Sequence, residues 1–175
     1  MCKRLCFTVL FLGLLGLCAA CAHQSVKHLS RNPLSAAASP QEIKTKNINF
    51  VYTAYRNKGS IRIKGTALPT HKYIPRWAEY IQEMAVFCYL TDAKGNILGK
   101  DLHNYLPQKL DKKEGHPFSF TLSSPPRREE KQLYVAFGYS LKLSSARSYT
   151  TRITDSPLED DSSDIFFARE GAVLN

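Results

Sequence analysis

A chain of 175 residues is long enough for one domain of ordinary size after a short N-terminal segment is set aside. Its formal net charge of +9 favours anionic partners: acidic lipid headgroups, lipopolysaccharide, cell-wall polymer or nucleic acid. Three of the five cysteines (Cys2, Cys6 and Cys18) fall within the first 20 residues, which excludes a disulfide framework or metal site built on the full set.

The N-terminus reads as an export signal. Lys3 and Arg4 supply a positive start, and residues 5–17, LCFTVLFLGLLGL, form an uncharged apolar run. That run is shorter than the about 20 residues of a transmembrane helix and fits the about 7–15 of a secretory h-region. Cys18-Ala19-Ala20-Cys21 follows, and it resembles the lipobox of bacterial lipoproteins, with Cys18 where Leu is usual. The resemblance implies cleavage before Cys21, a diacylglycerol on its sulfur and a further acyl chain on its new amine. One acyl chain binds a bilayer only marginally, at about 0.8 kcal/mol per buried CH₂, whereas several anchor it firmly. Ala22, in the place where Asp retains a lipoprotein at the inner membrane, implies the outer membrane, facing the periplasm. Ordinary secretion with a cut after Ala20 and an uncleaved anchor are the alternatives. Loss of residues 1–20 removes Lys3 and Arg4 and lowers the formal +9 to +7. An exported chain rarely meets nucleic acid, so lipid, lipopolysaccharide and cell-wall polymer lead among anionic ligands.

Residues 22–45 are polar and small, with no sustained apolar period. They predict a flexible tether over 21–45, dispensable for folding, ahead of a domain at 46–175. From residue 47 the period becomes two, the signature of half-buried strands. Ile48, Phe50, Tyr52 and Ala54 share one face. After a turn at Asn57-Lys58-Gly59, Ile61, Ile63 and Ala67 do the same. Pro75 to Tyr80 suggests one helical turn with Pro at its first position. Met84 to Leu90 is apolar on both faces and predicts a central strand covered on both sides. It contains Cys88, expected to be a buried, inert thiol. Asp92 to Asn96 reads as a turn in which Gly95 takes positive φ, and Ile97-Leu98 starts the return strand. Phe118, Phe120 and Leu122 alternate, as do Leu133, Val135, Phe137, Tyr139, Leu141 and Leu143. Tyr149 to Ile153 suggests an edge strand, Asp155 to Asp164 an acidic loop, and Ile165 to Phe167 a last short strand.

These strands predict a mainly β fold, an antiparallel sandwich of about seven strands. The stretch from Ile61-Arg62-Ile63-Lys64-Gly65-Thr66-Ala67-Leu68 through Val86-Phe87-Cys88-Tyr89-Leu90-Thr91-Asp92, Gly95, Ile97-Leu98 and Phe118 to Leu122 resembles the FxLYD-type and related immunoglobulin-like domains of bacterial envelope lipoproteins. The segment from Pro69 to Gln82 is longer and more aromatic than that pattern. The resemblance implies an interaction or structural module without conserved chemistry.

Chemical motifs are sparse. His23, His28, His71, His103 and His116 lack metal-ligand spacing, and Glu159, Asp160, Asp161 and Asp164 lack the EF-hand pattern. There is no nucleophile elbow and no phosphate loop. The expectation is therefore no cofactor, no metal and no catalysis. The candidate binding surface is Tyr73, Arg76, Trp77 and Tyr80, interleaved with His71 and Lys72, because Trp, Tyr and Arg dominate binding hot spots. The competing reading is that this segment caps the sandwich, with Trp77 filling the core. Two roles stay open: a module that binds another envelope protein, or one that binds a non-protein anionic ligand. An enzyme is a distant third.

Overall fold

The computed structural model describes residues 24–35, 37–57, 59–123, 132–146 and 165–174. Twelve strands run in chain order: β1 (Gln24–Ser25), β2 (Arg31–Pro33), β3 (Pro40–Lys44), β4 (Ile48–Asn57), β5 (Ser60–Pro69) and β6 (Tyr80–Thr91) come first. After them come β7 (Ile97–Tyr105), β8 (Gln108–Lys109), β9 (His116–Ser123), β10 (Tyr134–Ser144), β11 (Ile165–Glu170) and β12 (Val173–Leu174). Ten of them form two antiparallel sheets packed as a sandwich, and β1 pairs with β12 in a separate two-stranded ribbon. One sheet has the order β3-β4-β5-β9. The other is built on β11-β10-β6-β7. In it β2 and β11 share one edge of β10, and β7 and β8 share one edge of β6. This splitting of edges, together with the separate β1–β12 pair, is why the described strands outnumber the seven expected. Among the described residues no helix is long and apolar enough to cross a membrane.

The alternation read in the sequence sets which side chains meet between the sheets. His116, Phe118, Phe120 and Leu122 of β9 are buried, and the residues between them are exposed. The six apolar positions from Leu133 to Leu143 all enter the core, as do those of β4 and β5. At its centre Phe137 stacks on Phe50, with ring centroids 4.7 Å apart, and meets Tyr52 edge-on at 5.0 Å and Phe118 at 5.3 Å. Gly65 lies between Tyr52 and Phe118 in the register. A Cβ there would collide with the Val51 carbonyl and the Phe118 ring, so Gly is what lets these strands approach.

The two sheets are also tied at their margins. Asp101 Oδ2 on β7 accepts the Thr121 N–H of β9 at 3.1 Å, and the Tyr105 hydroxyl donates to the Pro117 carbonyl at 3.0 Å. On the opposite margin Asn32 Nδ2 donates to the Glu42 carbonyl at 2.9 Å, joining β2 to β3.

β6 is covered on both sides. Met84, Val86, Cys88 and Leu90 face the core between the sheets. On its other face Phe87 and Tyr89 pack with Ala136 against Val26 and Leu29. The cover is therefore the segment expected to be a free tether. From Gln24 onward that expectation fails: β1 pairs with β12, β2 with β10 and β3 with β4. Val26, Leu29, Leu34 and Ile43 are all buried. Each reaches a different place, two under the N-terminal flap and two in the main core, so no single periodic run announces them. The folded unit thus begins at Gln24 or earlier, not at residue 46.

Three smaller expectations are settled. Pro75 to Tyr80 forms no helix: the Ala78 N–H closes one turn on the Pro75 carbonyl at 3.2 Å, and Tyr80 already begins β6. The β6–β7 turn forms as read. Asp92 Oδ1 accepts the N–H groups of Lys94 and Asn96 at 2.8 and 2.9 Å, and Gly95 has φ of 81°. The strand read at Ile165–Phe167 is β11. The readings at Tyr149–Ile153 and Asp155–Asp164 lie outside the described residues.

Candidate interaction surface

Three connections meet at one end of the sandwich: residues 45–47, 70–79 and 110–115. The first two are joined by the Thr70 N–H, which donates to the Asn47 carbonyl at 2.8 Å. The 70–79 loop is fixed along its length. Tyr73 and Ile74 N–H groups turn back on the Thr70 carbonyl, the Glu79 N–H reaches the Ser144 carbonyl at 3.0 Å, and the Glu79 carbonyl accepts Leu110 N–H at 2.7 Å. Lys112 Nζ donates to the carbonyls of Pro75 and Arg76 at 3.3 and 3.2 Å.

This bracing decides which side chains face water. Ile74 and Ala78 enter the core and close the end of the sandwich. Trp77 does not: it is 36 % exposed, and Tyr73 is 41 % exposed. The reading of Trp77 as the core plug is therefore corrected, because Ile74 and Ala78, four residues apart across a turn, already fill that position. His71, Lys72 and Arg76 are exposed, while Tyr80 is half-buried at the start of β6. Arg76, Trp77 and Tyr73 thus share one exposed loop, with Tyr80 at its base. The Tyr73 ring has Lys72 Nζ 5.1 Å and Lys46 Nζ 5.9 Å from its centroid. Exposed cation–ring pairs of this kind contribute about 0.5–1 kcal/mol.

Beside the loop is an open hollow of about 760 Å³, lined by Glu79, Lys109, Asp111, Lys112, Lys113 and His116 among others, with no Arg, Phe, Tyr or Trp in its lining. Nothing in the sequence reading drew attention to residues 110–115. Their signal is an Asp followed four residues later by Gly: Asp111 Oδ1 accepts the Lys113 and Glu114 N–H groups at 2.9 and 2.8 Å, and Gly115 takes φ of 72°. Those bonds hold the Asp111 carboxyl below the usual carboxylate range.

His116 closes this turn from below. It is buried, and its Nε2 accepts the Asp111 N–H at 3.3 Å. Burial pushes its pKa below the ordinary value, against the pull of Asp111. A depressed folded-state value means that the neutral ring contributes stability above the ordinary pKa of about 6.5. That stability is lost as pH falls through the histidine range. Denaturant melts at neutral pH and near pH 5 should show the wild type losing stability, with His116→Gln losing less. Equal losses in both would show that His116 does not hold the turn.

Cys88 is fully buried, and burial raises its thiol pKa well above the ordinary value. Cys21 lies outside the described residues. Among the described residues, no group of three or more His, Cys, Asp or Glu side chains could hold a metal ion. The chain matches no family model, no curated protein and no solved structure.

Proposed function

We propose that the chain is a lipid-anchored envelope protein, attached through Cys21 to the outer membrane on its periplasmic side. Its β-sandwich acts there as a non-catalytic module that binds another envelope protein. The carrying observation is the braced 70–79 loop, which presents Tyr73, Arg76 and Trp77 to solvent on a rigid base. Large apolar side chains left exposed where smaller neighbours fill the core suit a contact surface, and the surrounding lysines suit a partner with an acidic face. The strand order supports an immunoglobulin-like assignment: β3-β4-β5-β9 faces β11-β10-β6-β7, with repeated crossings between sheets.

A second reading is binding of a non-protein anionic ligand, such as cell-wall polymer or lipid headgroups, in the hollow beside the loop. It is favoured by Lys109, Lys112 and Lys113 in that lining.

The test joins anchor and surface. Fatty-acid labelling should mark the wild type and spare Cys21→Ser. A photo-crosslinking residue at Tyr73 should capture a protein in the native envelope, and Trp77→Ala should reduce capture about tenfold or more. The same variant should melt within error of the wild type, read by circular dichroism because the chain has a single Trp. A loss of about 3–5 kcal/mol, the range for large aromatic-to-Ala core changes, would instead make Trp77 a core residue.

A further inference from the structure

The outer face of the six-stranded sheet is unevenly covered. Residues 24–29 lie over the part near the β6–β7 turn, where Phe87, Tyr89 and Ala136 pack under Val26 and Leu29. The register continues this face past that flap. Leu102 stands opposite Phe87, and Gly138 flanks Phe87 on its other side. In the next rows Ala85, Ser140 and Arg169 are aligned, then Lys142 and Phe167. A Cβ at Gly138 would meet the Glu170 carbonyl and Gly171, so that position is covered, and Ala85 and Ser140 form the low, half-buried centre with larger residues at its rims. Leu102 is 47 % exposed and Phe167 66 %. Leu98 on β7 and Val173 on β12 are exposed as well. Lys142 lies 5.3 Å from the Phe167 ring centroid and 3.5 Å from Glu83, whereas Lys100 and Arg169 face outward beside the apolar groups.

The chain enters the fold over this same face. Gln24 Oε1 accepts from Lys100 Nζ at 3.3 Å, and Gln24 lines a hollow of about 410 Å³ with Phe87, Lys100, Leu102 and Arg169. Only Ala22 and His23 separate it from Cys21. However those residues are arranged, three steps of chain reach at most about 11 Å. A domain of this size has a radius of gyration of about 15 Å. A link shorter than that radius cannot let the domain roll until the four-stranded sheet faces the membrane.

We propose that this outer face lies on the bilayer surface, with Leu102 and Phe167 in the headgroup zone and Lys100 and Arg169 against anionic lipid phosphates. The inference rests on the reading of Cys21 as the acylated residue. It adds an orientation that acylation alone does not dictate. The mixture of apolar and basic side chains is what an interfacial surface requires: apolar groups enter the acyl boundary and cations pair with acidic headgroups. The outer face of the other sheet also mixes apolar and basic side chains, with Val51 and Tyr55 among Arg62, Lys64 and Thr53, so what selects between the two faces is the entry of the chain at Gln24.

The experiment uses the acylated protein reconstituted in phosphatidylethanolamine–phosphatidylglycerol vesicles that carry a nitroxide lipid. Buried Cys88 leaves a thiol-reactive fluorophore to report from Leu102→Cys, Phe167→Cys or, on the opposite sheet, Arg62→Cys. Lipid quenching should be several-fold stronger at 102 and 167 than at 62, and Lys100→Glu with Arg169→Glu should reduce it at 102. Equal quenching on both sheets, in protein that carries fatty acid on Cys21, would overturn the orientation and leave the anchor standing. Absence of fatty acid on Cys21 would overturn both.

Discussion

A chain that starts at Lys46 is expected to unfold, where one that starts at Ala22 folds. The deletion removes β1, β2 and β3 together, and with them Val26, Leu29, Leu34 and Ile43, all buried. Burying one such aliphatic side chain contributes about 1.5–3 kcal/mol, an upper estimate when the unfolded chain is treated as extended. Four of them therefore rival the whole stability of an ordinary domain, about 5–15 kcal/mol. The loss does not end with the deleted residues. Phe87, Tyr89 and Ala136 would be uncovered on the face of β6 and β10, and the β4 edge would lose its partner. The check is a denaturant melt of the shortened chain beside one starting at Ala22, with protease resistance as a second reading. A shortened chain with an unchanged midpoint would return residues 22–45 to the role of a tether.

The second large effect is expected at Phe137. It is fully buried and touches Phe50, Tyr52, Phe118 and Phe120, so both sheets meet on its ring. Phe137→Ala should cost about 3–5 kcal/mol, because the lost transfer energy is joined by a cavity that four other rings cannot collapse to fill. Phe137→Leu keeps much of the volume and should lose less. If both variants melted alike, the ring would be contributing apolar volume and no specific aromatic packing.

The two effects differ in how visible they were in the sequence. Phe137 sits in a six-position alternation from Leu133 to Leu143, and such a run can place its apolar side chains on one face only if it is a strand. The turn at Asp92 to Asn96 was legible for a similar reason, since its hydrogen bonds are made by residues within five positions of each other. The N-terminal segment was not. Its four buried apolar residues are spaced over 18 positions, and the partners of β1 and β2 lie far along the chain, as in Ser25 with Val173 and Asn32 with Val135. Composition averaged over such a segment reports polarity and misses sparse anchors. The 70–79 loop shows the same limit. Its aromatic and basic content marked it out, but which rings went inward depended on Ile74 and Ala78, on Lys112 and on the Ser144 carbonyl.

The bonds that tie the sheet margins have a consequence for how copies of the chain behave beside one another. An exposed strand edge is a row of unpaired amide groups, and it invites a neighbour's edge to complete it. Confinement to a surface would raise the rate of such encounters, because copies held in a plane share one height and a narrowed range of orientations. Here β7 is stitched to β9 through Asp101 and Tyr105, and β3 to β2 through Asn32. Those ties already occupy the Thr121 N–H and the Pro117 and Glu42 carbonyls of the edge strands β9 and β3, and so interrupt the ladder a neighbour would need. Neighbouring copies pressed together there have little to zip onto, so crowding need not lead to aggregation through these edges.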